Sequence, residues 1–270
     1  MARRRSKRKM PPLHEGPLER LEEGGKVEDG VLTQYRARIL AKFIAKGEID
    51  KIEFKLARGK ESDIFVVKKG PSIDIEDEYL IIKAYRIERS EFFKSIRQYI
   101  VSDPRFSVVK SRYRLIDMWC KKEYGNLKVA EVAGIYAPKP FAARGNFLLM
   151  QYIHDDNMDP APQLKDYRLS KPDETFNIII DQIKKLVRAQ LVHADLSPYN
   201  IIIKKDYNKE LPYFIDFGQA VSIQHLRALE FLNRDIDNIY SYFVHEYKID
   251  LDIDKIKNDI DKIFIEELNA

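Results

Sequence analysis

Three oxygen-bearing side chains occur beside two short apolar runs in the second half of the chain. Asp195 and Asn200 precede residues 201–203, and Asp216 follows a second apolar run. The β-branched and aromatic residues of these runs predict two strands, joined by a turn at residues 208–212. The resulting hairpin would bring the three side chains together. Phosphoryl transfer from ATP needs such a set, because one carboxylate orients the attacking oxygen while a carboxylate and an amide oxygen hold magnesium.

The spacing of these residues is that of known phosphotransferases. His193, Asp195 and Asn200 form His-x-Asp-x-x-x-x-Asn, the pattern of protein kinase catalytic loops, and Asp-Phe-Gly stands at residues 216–218. Either motif alone would be weak, whereas both in this order, each beside an apolar strand, are specific. In the structural alternative, Asp195 caps a turn, Asn200 satisfies a loop and Asp216 faces solvent. The combined spacing favours catalysis over that alternative.

The elements that position these residues come from a chain of 270 residues, which is long enough for one large or two small domains. Its hydrophobic share of 44% is ordinary for a globular protein. No run is long enough to span a bilayer and the basic start lacks the apolar core of a signal peptide, so we expect a cytoplasmic protein. A single cysteine, Cys120, excludes an intrachain disulfide and a zinc site built from several cysteines.

Basic residues are concentrated at the start of the chain. The net charge is +4, and removing the six Arg and Lys residues of positions 3–9 leaves −2 for the rest. Together with its Gly and Pro content, this charge predicts that residues 1–30 form a flexible basic leader. Such an arm can attract the phosphates of RNA or of a ribosomal particle. The alternative is a solubilising tail.

The first half of the chain contains a candidate phosphate-binding loop. After a helical stripe in residues 31–46, residues 52–56 alternate like a strand and lead into Gly59-Lys60-Glu61-Ser62. A glycine and small polar residues between two strands can lay backbone N–H groups over phosphates. Because only one glycine is present, an ordinary hairpin turn is an equal alternative for this segment alone.

Lys83 is the only charge in the middle of the apolar residues 79–85. A lysine in such a strand costs free energy unless it is paired, and a kinase uses it to hold the α- and β-phosphates beside a helical glutamate. The alternative is a lysine on the solvent face of an edge strand. In the long helix predicted over residues 112–134, Glu123 borders the inner face and can reach Lys83, and Glu131 is the fallback candidate.

The remaining patterns predict an α+β protein with two lobes, similar to a protein kinase. Residues 141–153 predict two strands, and the backbone of Met150, Gln151, Tyr152 and Ile153 is the expected hinge that reads adenine. Further helices are predicted over residues 88–100, 175–190, 224–247 and 254–268. We expect residues 31–150 to form a helix and an N-terminal lobe with a twisted antiparallel sheet, and residues 151–270 a reduced helical C-terminal lobe.

The residues after Asp-Phe-Gly indicate which class of protein kinase the sequence resembles. Protein kinases usually carry a long activation segment after Asp-Phe-Gly, but only 52 of the 270 residues follow Gly218, and nothing resembles Ala-Pro-Glu. This reduced core resembles the RIO family of atypical protein kinases, most closely its type-one branch. The resemblance covers roughly residues 32–242 and is carried by Gly59-Lys-Glu-Ser62, Ile82-Lys83-Ala-Tyr85, Trp119-Cys-Lys-Lys-Glu123-Tyr-Gly-Asn-Leu127, Pro160-Ala-Pro162, Leu191-Val-His-Ala-Asp-Leu-Ser197, Tyr199-Asn200 and Ile215-Asp216.

The resemblance implies several properties. They are ATP as substrate with Mg²⁺ (or Mn²⁺) as cofactor, serine autophosphorylation, ATPase turnover through a phosphorylated Asp216, and a role in maturation of the small ribosomal subunit. The expected partner is the immature subunit, with its RNA contacted by the basic leader, and no membrane is implied. The sequence departs from the family at Gln151 and Pro198, where glutamate is common in both cases. Gln151 should permit adenine binding through the backbone, whereas Pro198 leaves the phosphate acceptor open.

Each candidate residue has an expected role. The expected residues are Asp195, Asp216 and Lys83 for catalysis, Asn200 and Asp216 for metal binding, and Gly59, Lys60, Glu61, Ser62, Lys83, Glu123, Met150, Gln151, Tyr152, Ile153 and Asn200 for nucleotide binding. Asp195 would orient and partly deprotonate the acceptor hydroxyl, and His193 would be a structural hydrogen-bonding residue. The autophosphorylation candidates are Ser102, Ser107 and Ser111, in a polar break after the predicted helix 88–100.

Two other functions fit the same motifs. A small-molecule kinase of the aminoglycoside or choline type shares both of them, but it usually has a longer C-terminal helical part that forms the substrate pocket. A ribosome-assembly factor could use nucleotide as a conformational switch without phosphoryl transfer. The complete set of Lys83, Asp195, Asn200 and Asp216 favours chemistry, but it does not separate a slow ATPase from a kinase.

Overall fold

An antiparallel sheet and one long helix form the first half of the protein. The computed structural model describes residues 34–86, 96–107, 109 and 111–270. The elements of this half are α1 (Gln34–Ala45), β1 (Ile49–Arg58), β2 (Ser62–Lys69), β3 (Tyr79–Tyr85), a 3-10 helix (Ile96–Tyr99), α2 (Arg112–Val132), β4 (Pro140–Arg144) and β5 (Phe147–Gln151). Within the described residues the sheet has five strands in the order β1-β2-β3-β5-β4.

The sheet places Lys83 at its centre. Strand β3 pairs with β2 on one side and β5 on the other, so that Lys83 lies in register with Ile64 and Leu148. The Lys83 residue is only 5% exposed. The alternative of a lysine on the solvent face of an edge strand is therefore wrong.

Two hydrophobic clusters lie on either side of this sheet. Helix α1 buries Phe43 against sheet residues that include Val67 and Leu80. The other cluster joins α2 to the rest of the protein and contains Trp119, which is 1% exposed. Helix α2 therefore packs on both the sheet and the second half of the chain, where the predicted catalytic residues lie.

The second half is mainly helical and contains short strands around the predicted catalytic residues. Its elements are a 3-10 helix (Leu164–Asp166), α3 (Pro172–Arg188), β6 (Leu191–Val192), β7 (Ile201–Asp206), β8 (Lys209–Phe214), β9 (Val221–Ser222), α4 (Ala228–Tyr247) and α5 (Ile253–Asn269). Strand β6 pairs with β9, and β7 pairs with β8. The predicted catalytic-loop residues lie between β6 and β7, and Asp-Phe-Gly lies between β8 and β9.

The predicted hairpin exists, but its turn is shorter than the sequence suggested. The residues between the two strands are Tyr207 and Asn208, and Tyr207 has a positive φ of 51°. The predicted turn at residues 208–212 is wrong because Pro212 is buried within β8, opposite Ile203. Proline is tolerated there because β8 is an edge strand of a two-stranded sheet and needs no N–H group at that position.

The predicted helices are close to the observed ones. Helix α3 begins before the predicted residue 175 because Pro172 starts it, as proline commonly does in a first helical turn. Helix α4 begins after the predicted residue 224, because residues 224–227 form a turn. The predicted leader 1–30 lies outside the described residues, as do most of the predicted helix 88–100 and the start of helix 31–46. No helix within the described ranges is long and apolar enough to cross a membrane.

Candidate active site

Lys83 joins the sheet, helix α2 and the Asp-Phe-Gly loop. Its ammonium nitrogen Nζ lies 2.7 Å from Glu123 Oε1 and 2.9 Å from Asp216 Oδ1. The Tyr85 hydroxyl donates a further hydrogen bond to Glu123 Oε2. The fallback residue, Glu131, instead pairs with Lys128 at 2.8 Å. The sequence prediction that Glu123 reaches Lys83 is therefore confirmed by the geometry.

Charge and burial act against each other in this group. Burial alone would lower the pKa of Lys83, but the negative charges of Asp216 and Glu123 outweigh it and raise that pKa above its ordinary value. Burial would raise the pKa of Asp216, but Lys83 keeps it below its ordinary value. Burial raises the pKa of Glu123 to about 7, against the charge of Lys83. The lysine is therefore a permanent cation, and Asp216 is an anion at neutral pH.

Asp195 and Asn200 face Asp216 from the loop before β7. The Asn200 amide nitrogen Nδ2 donates to the Asp195 backbone oxygen at 2.7 Å and to its carboxylate Oδ2 at 3.0 Å. Gln219 Nε2 donates to the same carboxylate oxygen at 3.0 Å. Burial, and next the charge of Asp216, raises the pKa of Asp195 to about 6. The hairpin thus brings the three predicted side chains together.

The oxygen atoms of this group suit a magnesium ion. The Asp216 side chain is 40% exposed, and the Asn200 amide donates to Asp195 through its nitrogen, so both can present oxygen to the cleft. Mg²⁺ prefers oxygen ligands and is usually held by one or two protein side chains together with substrate phosphates. Within the described residues, His, Cys, Asp and Glu form no cluster of three that could hold a metal by themselves. Asn200 and Asp216 thus fit a metal that arrives with nucleotide.

His193 lies beneath the site. Its Nε2 lies 3.0 Å from the Ile215 backbone oxygen, and its ring packs against Phe214 and Phe217. Burial lowers the pKa of His193 to about 4, so the ring is neutral and donates that hydrogen bond. This geometry agrees with a structural role for His193.

The glycine loop adopts a tight turn at the end of β1. The Gly59 N–H donates to the Ser62 backbone oxygen at 2.8 Å, and a Cβ atom at Gly59 would lie 2.9 Å from that oxygen. Lys60 is exposed, whereas Ser62 is only 8% exposed at the start of β2. Burial raises the pKa of Glu61 to about 7, and the charge of Asp216 adds to this effect. Glu61 is thus close enough to Asp216 and Asp195 to respond to their charge.

The expected hinge comprises the last two residues of β5 and the two residues after it. Met150, Tyr152 and Ile153 are buried, and Gln151 is half-buried. The Gln151 N–H donates to the Lys139 oxygen at 2.8 Å, and the Ile153 oxygen accepts from the Ala161 N–H at 3.1 Å. Adenine reading by this segment stays a prediction.

The three serine candidates differ in exposure. Ser102 is half-buried, while Ser107 and Ser111 are exposed. Ser111 immediately precedes α2. All three hydroxyls lie in the segment that connects the 3-10 helix at residues 96–99 to α2.

Sequence reasoning missed the buried aspartate that shapes the catalytic loop. Asp235 in α4 accepts hydrogen bonds from the Ala194 N–H at 2.7 Å and the Leu196 N–H at 2.8 Å. Ala194 has a positive φ of 65°, a backbone conformation that residues other than glycine rarely adopt. The two hydrogen bonds to Asp235 stabilise the loop in this conformation. A signal was available, because Asp235 is a carboxylate on the apolar stripe of α4, next to Ile236.

Sequence reasoning also missed the side chains of α2 that hold the Asp-Phe-Gly loop. Lys122 is fully buried, and its Nζ donates to the Gly218 oxygen at 2.8 Å and to the Ala220 oxygen. Asn126 Nδ2 donates to the Phe217 oxygen at 2.8 Å. A Cβ atom at Gly218 would lie 3.0 Å from the Trp119 ring nitrogen, so the loop packs closely on the helix. The sequence contained a signal for these two residues, because Lys122 and Asn126 lie one turn apart on the inner face of the predicted helix.

Comparison with known proteins decides the family. The model of the RIO domain matches residues 63–256. The chain belongs to the RIO family. Relatives named RIO-type serine/threonine-protein kinase Rio1 support the type-one branch. The relative from Haloferax volcanii is 35% identical over 219 residues, covering 81% of this chain and 72% of the relative. The relative from Thermoplasma acidophilum is 38% identical over 186 residues, covering 68% of this chain and 95% of the relative.

A solved structure confirms the expected protein-kinase-like fold of this RIO family member. The Rio2 kinase from Chaetomium thermophilum, solved as an ADP/Mg²⁺-phosphoaspartate complex, matches with a TM-score of 0.64 at 18% identity. The match covers 86% of this chain and 74% of that one. At this identity the likeness concerns the fold alone.

Proposed function

We propose that this protein is a serine/threonine protein kinase that uses ATP with Mg²⁺ and phosphorylates itself. The observation that carries the proposal is the meeting of Lys83, Glu123 and Asp216 within hydrogen-bonding distance, opposite the Asp195–Asn200 pair. The Rio1 relatives bear the name of this activity. The proposed substrate is a protein hydroxyl group, and the nucleotide would lie between the glycine loop, the hinge and this group.

The proposed reaction is an in-line transfer of the γ-phosphoryl group. The oxygen of the acceptor hydroxyl forms a bond to the γ-phosphorus, and Asp195 accepts the proton of that hydroxyl. At the same time the bond between the γ-phosphorus and the β–γ bridging oxygen breaks, and ADP leaves with that electron pair. Lys83 holds the α- and β-phosphates, and Glu123 holds Lys83 in place. Asn200 and Asp216 would hold Mg²⁺, which supplies neutralisation of phosphate charge when bound.

Asp216 could also act as a phosphate acceptor during ATPase turnover. The Rio2 kinase of the same fold was solved in a complex that contains a phosphoaspartate. In such a step a carboxylate oxygen of Asp216 would bond to the γ-phosphorus and ADP would leave, and water would then release phosphate. The partly exposed Asp216 side chain is compatible with this second activity, which would run in the same site.

Autophosphorylation tests the proposal. Incubation of the full chain with γ-labelled ATP and Mg²⁺ should place label on Ser102, Ser107 or Ser111. These are the serines of the polar segment that connects the 3-10 helix to α2, which is the proposed autophosphorylation region. Peptide mass spectrometry locates the phosphate. Phosphate found only elsewhere would refute these sites, and absence of any protein-bound phosphate would refute autophosphorylation itself.

We further propose that the protein acts in the cytoplasm in maturation of the small ribosomal subunit, with the basic leader of residues 1–30 contacting RNA. Six positive charges within residues 3–9 support an affinity for phosphates. The autophosphorylation assay can include immature small-subunit particles, with mature subunits as the matched control. Selective stimulation by the immature particles is the expected result, and equal rates with both would contradict the proposal.

The pKa of Asp195 predicts a pH dependence. Burial and the charge of Asp216 raise the pKa of the Asp195 carboxyl to about 6 in the protein without nucleotide. As the pH falls below that value, a growing fraction of the protein has a protonated Asp195, which cannot accept a proton. We expect kcat/KM to rise as the pH increases through about 6 and then to level off, since this parameter reports the free enzyme. Fixed-time assays with labelled ATP at a series of pH values around 6 measure this dependence of kcat/KM on pH.

Two variants separate Asp195 from its neighbours in that profile. Gln219→Met removes a hydrogen bond that favours the charged carboxylate, so the inflection should move to higher pH. Glu61→Gln removes one of the two other site carboxyls whose pKa is raised to about 7, the second being Glu123, and it should retain the inflection. Loss of the inflection in Glu61→Gln would assign it to Glu61 and contradict the role of Asp195.

A further inference from the structure

A segment outside the nucleotide-binding elements contacts the loop that follows Asp216. In residues 96–107, the Arg105 guanidinium donates to both carboxylate oxygens of Asp103, at 2.9 Å and 2.7 Å. Its remaining nitrogen donates to Asn126 Oδ1 at 2.9 Å. Asp103 is 2% exposed, whereas 32% of the Arg105 side chain is exposed, so a buried carboxylate is covered by a guanidinium at the surface. Arg105 therefore ties the segment to helix α2.

The same contacts continue to the backbone after Asp216. Asn126, which accepts from Arg105, donates to the backbone oxygens of Phe217 at 2.8 Å and Ala220 at 3.0 Å. Asp103 Oδ2 accepts from the Ser222 N–H at 3.3 Å. Both ends of residues 217–222 are thus held by side chains that Arg105 contacts.

Asp216 needs this support because of its backbone conformation. Its φ is 64°, in the left-handed region that non-glycine residues adopt only when surrounding structure holds them. Magnesium requires near-ideal octahedral geometry, so a small displacement of the Asp216 carboxylate weakens its binding. The hydrogen bonds on residues 217–222 are the nearest restraint on the C-terminal side of Asp216.

We propose that Arg105 is a positioning residue that sets the affinity of the Asp216 site for Mg²⁺ through Asp103 and Asn126. The segment of residues 96–107 would then control metal binding without contacting nucleotide. This inference rests on the proposed function, because it concerns the same metal–nucleotide site. It adds that the site is complete only while this segment is docked on α2.

The test measures binding of a fluorescent ADP analogue as Mg²⁺ is increased, with the full chain. Arg105→Met should raise the Mg²⁺ concentration at half-saturation by about three- to thirtyfold, as expected for coupling through a contiguous contact network. Binding of the analogue without metal should stay within about twofold, because Arg105 does not touch the nucleotide site. Arg97→Met is the matched control, since Arg97 is exposed on the same segment, and it should behave like the unmodified protein.

Arg105→Met leaves the buried Asp103 carboxylate without its ion-pair partner, which can destabilise the fold. A second pair of variants keeps the test decisive in that case. In Asp103→Asn with Arg105→Met no charge remains at either position, and the asparagine oxygen can still accept from the Ser222 N–H group. This double variant should show the same rise in the Mg²⁺ requirement, whereas Arg105→Lys should lie between it and the unmodified protein, since lysine retains the charge but not the forked geometry.

The outcomes separate the two proposals. An Mg²⁺ half-saturation in the double variant within twofold of the unmodified protein would overturn the role of Arg105. An equal loss of metal-free and metal-dependent binding would also overturn it, because that result indicates general destabilisation. If the unmodified protein bound no nucleotide with or without Mg²⁺, the proposed function itself would be wrong.

Discussion

Asp195→Asn should reduce phosphoryl transfer by on the order of a hundredfold or more while leaving nucleotide binding nearly unchanged. The amide cannot accept the proton of the acceptor hydroxyl, but it retains the size of the carboxylate and an oxygen that can accept from Asn200 and Gln219. Single-turnover transfer from γ-labelled ATP measures the loss, and calorimetry with ADP measures binding.

Asp206→Asn is the matched control for this variant. Asp206 is exposed at the tip of the β7–β8 hairpin, so the same chemical change there should leave both measurements unaltered. Transfer by Asp195→Asn at the rate of the unmodified protein would refute the assignment of Asp195 as the proton acceptor. A parallel loss of nucleotide binding would instead assign Asp195 to the nucleotide site.

Asp216→Asn should remove most of the dependence of nucleotide binding on Mg²⁺. Loss of a residue that only supports a metal ligand typically lowers metal affinity by about 10- to 100-fold, so loss of the ligand itself should cost at least as much. Lys83 would keep its 2.7 Å contact with Glu123, so the cation that we propose binds phosphate should remain in place. Calorimetric titration with ADP, with and without Mg²⁺, separates the two contributions.

The metal-free titration provides the internal control for Asp216→Asn. Binding without Mg²⁺ should not weaken, because the substitution removes a negative charge that would repel phosphate. A variant that still gained the same affinity from Mg²⁺ as the unmodified protein would show that Asp216 is not a metal ligand.

The central group was predictable from sequence because its determinants are local. Asp195 and Asn200 are five residues apart in one loop, and Asp216 follows the next strand, so a single hairpin is enough to bring them together. The pairing of Lys83 with Glu123 was predictable for a different reason. A charge in an apolar strand requires a partner, and Glu123 was the acid placed one turn from a buried aromatic residue.

The supporting contacts were not predictable because they join distant parts of the chain. The bonds from Asp235 to the backbone at Ala194 and Leu196 span about 40 residues, and those from Lys122 to Gly218 span 96. Sequence patterns indicate that such a side chain faces inward, but not which backbone group it meets. Pro212 misled the hairpin prediction because proline marks turns more often than edge strands.

Helix α2 has a consequence for the release of product. On one side Glu123 holds Lys83 of the sheet, and on the other Lys122 and Asn126 hold the loop of Asp216. Any widening of the cleft that separates the sheet from this loop must break one of these two sets of buried, charged or amide hydrogen bonds. If this gap must widen for ADP to leave, these bonds should slow its release.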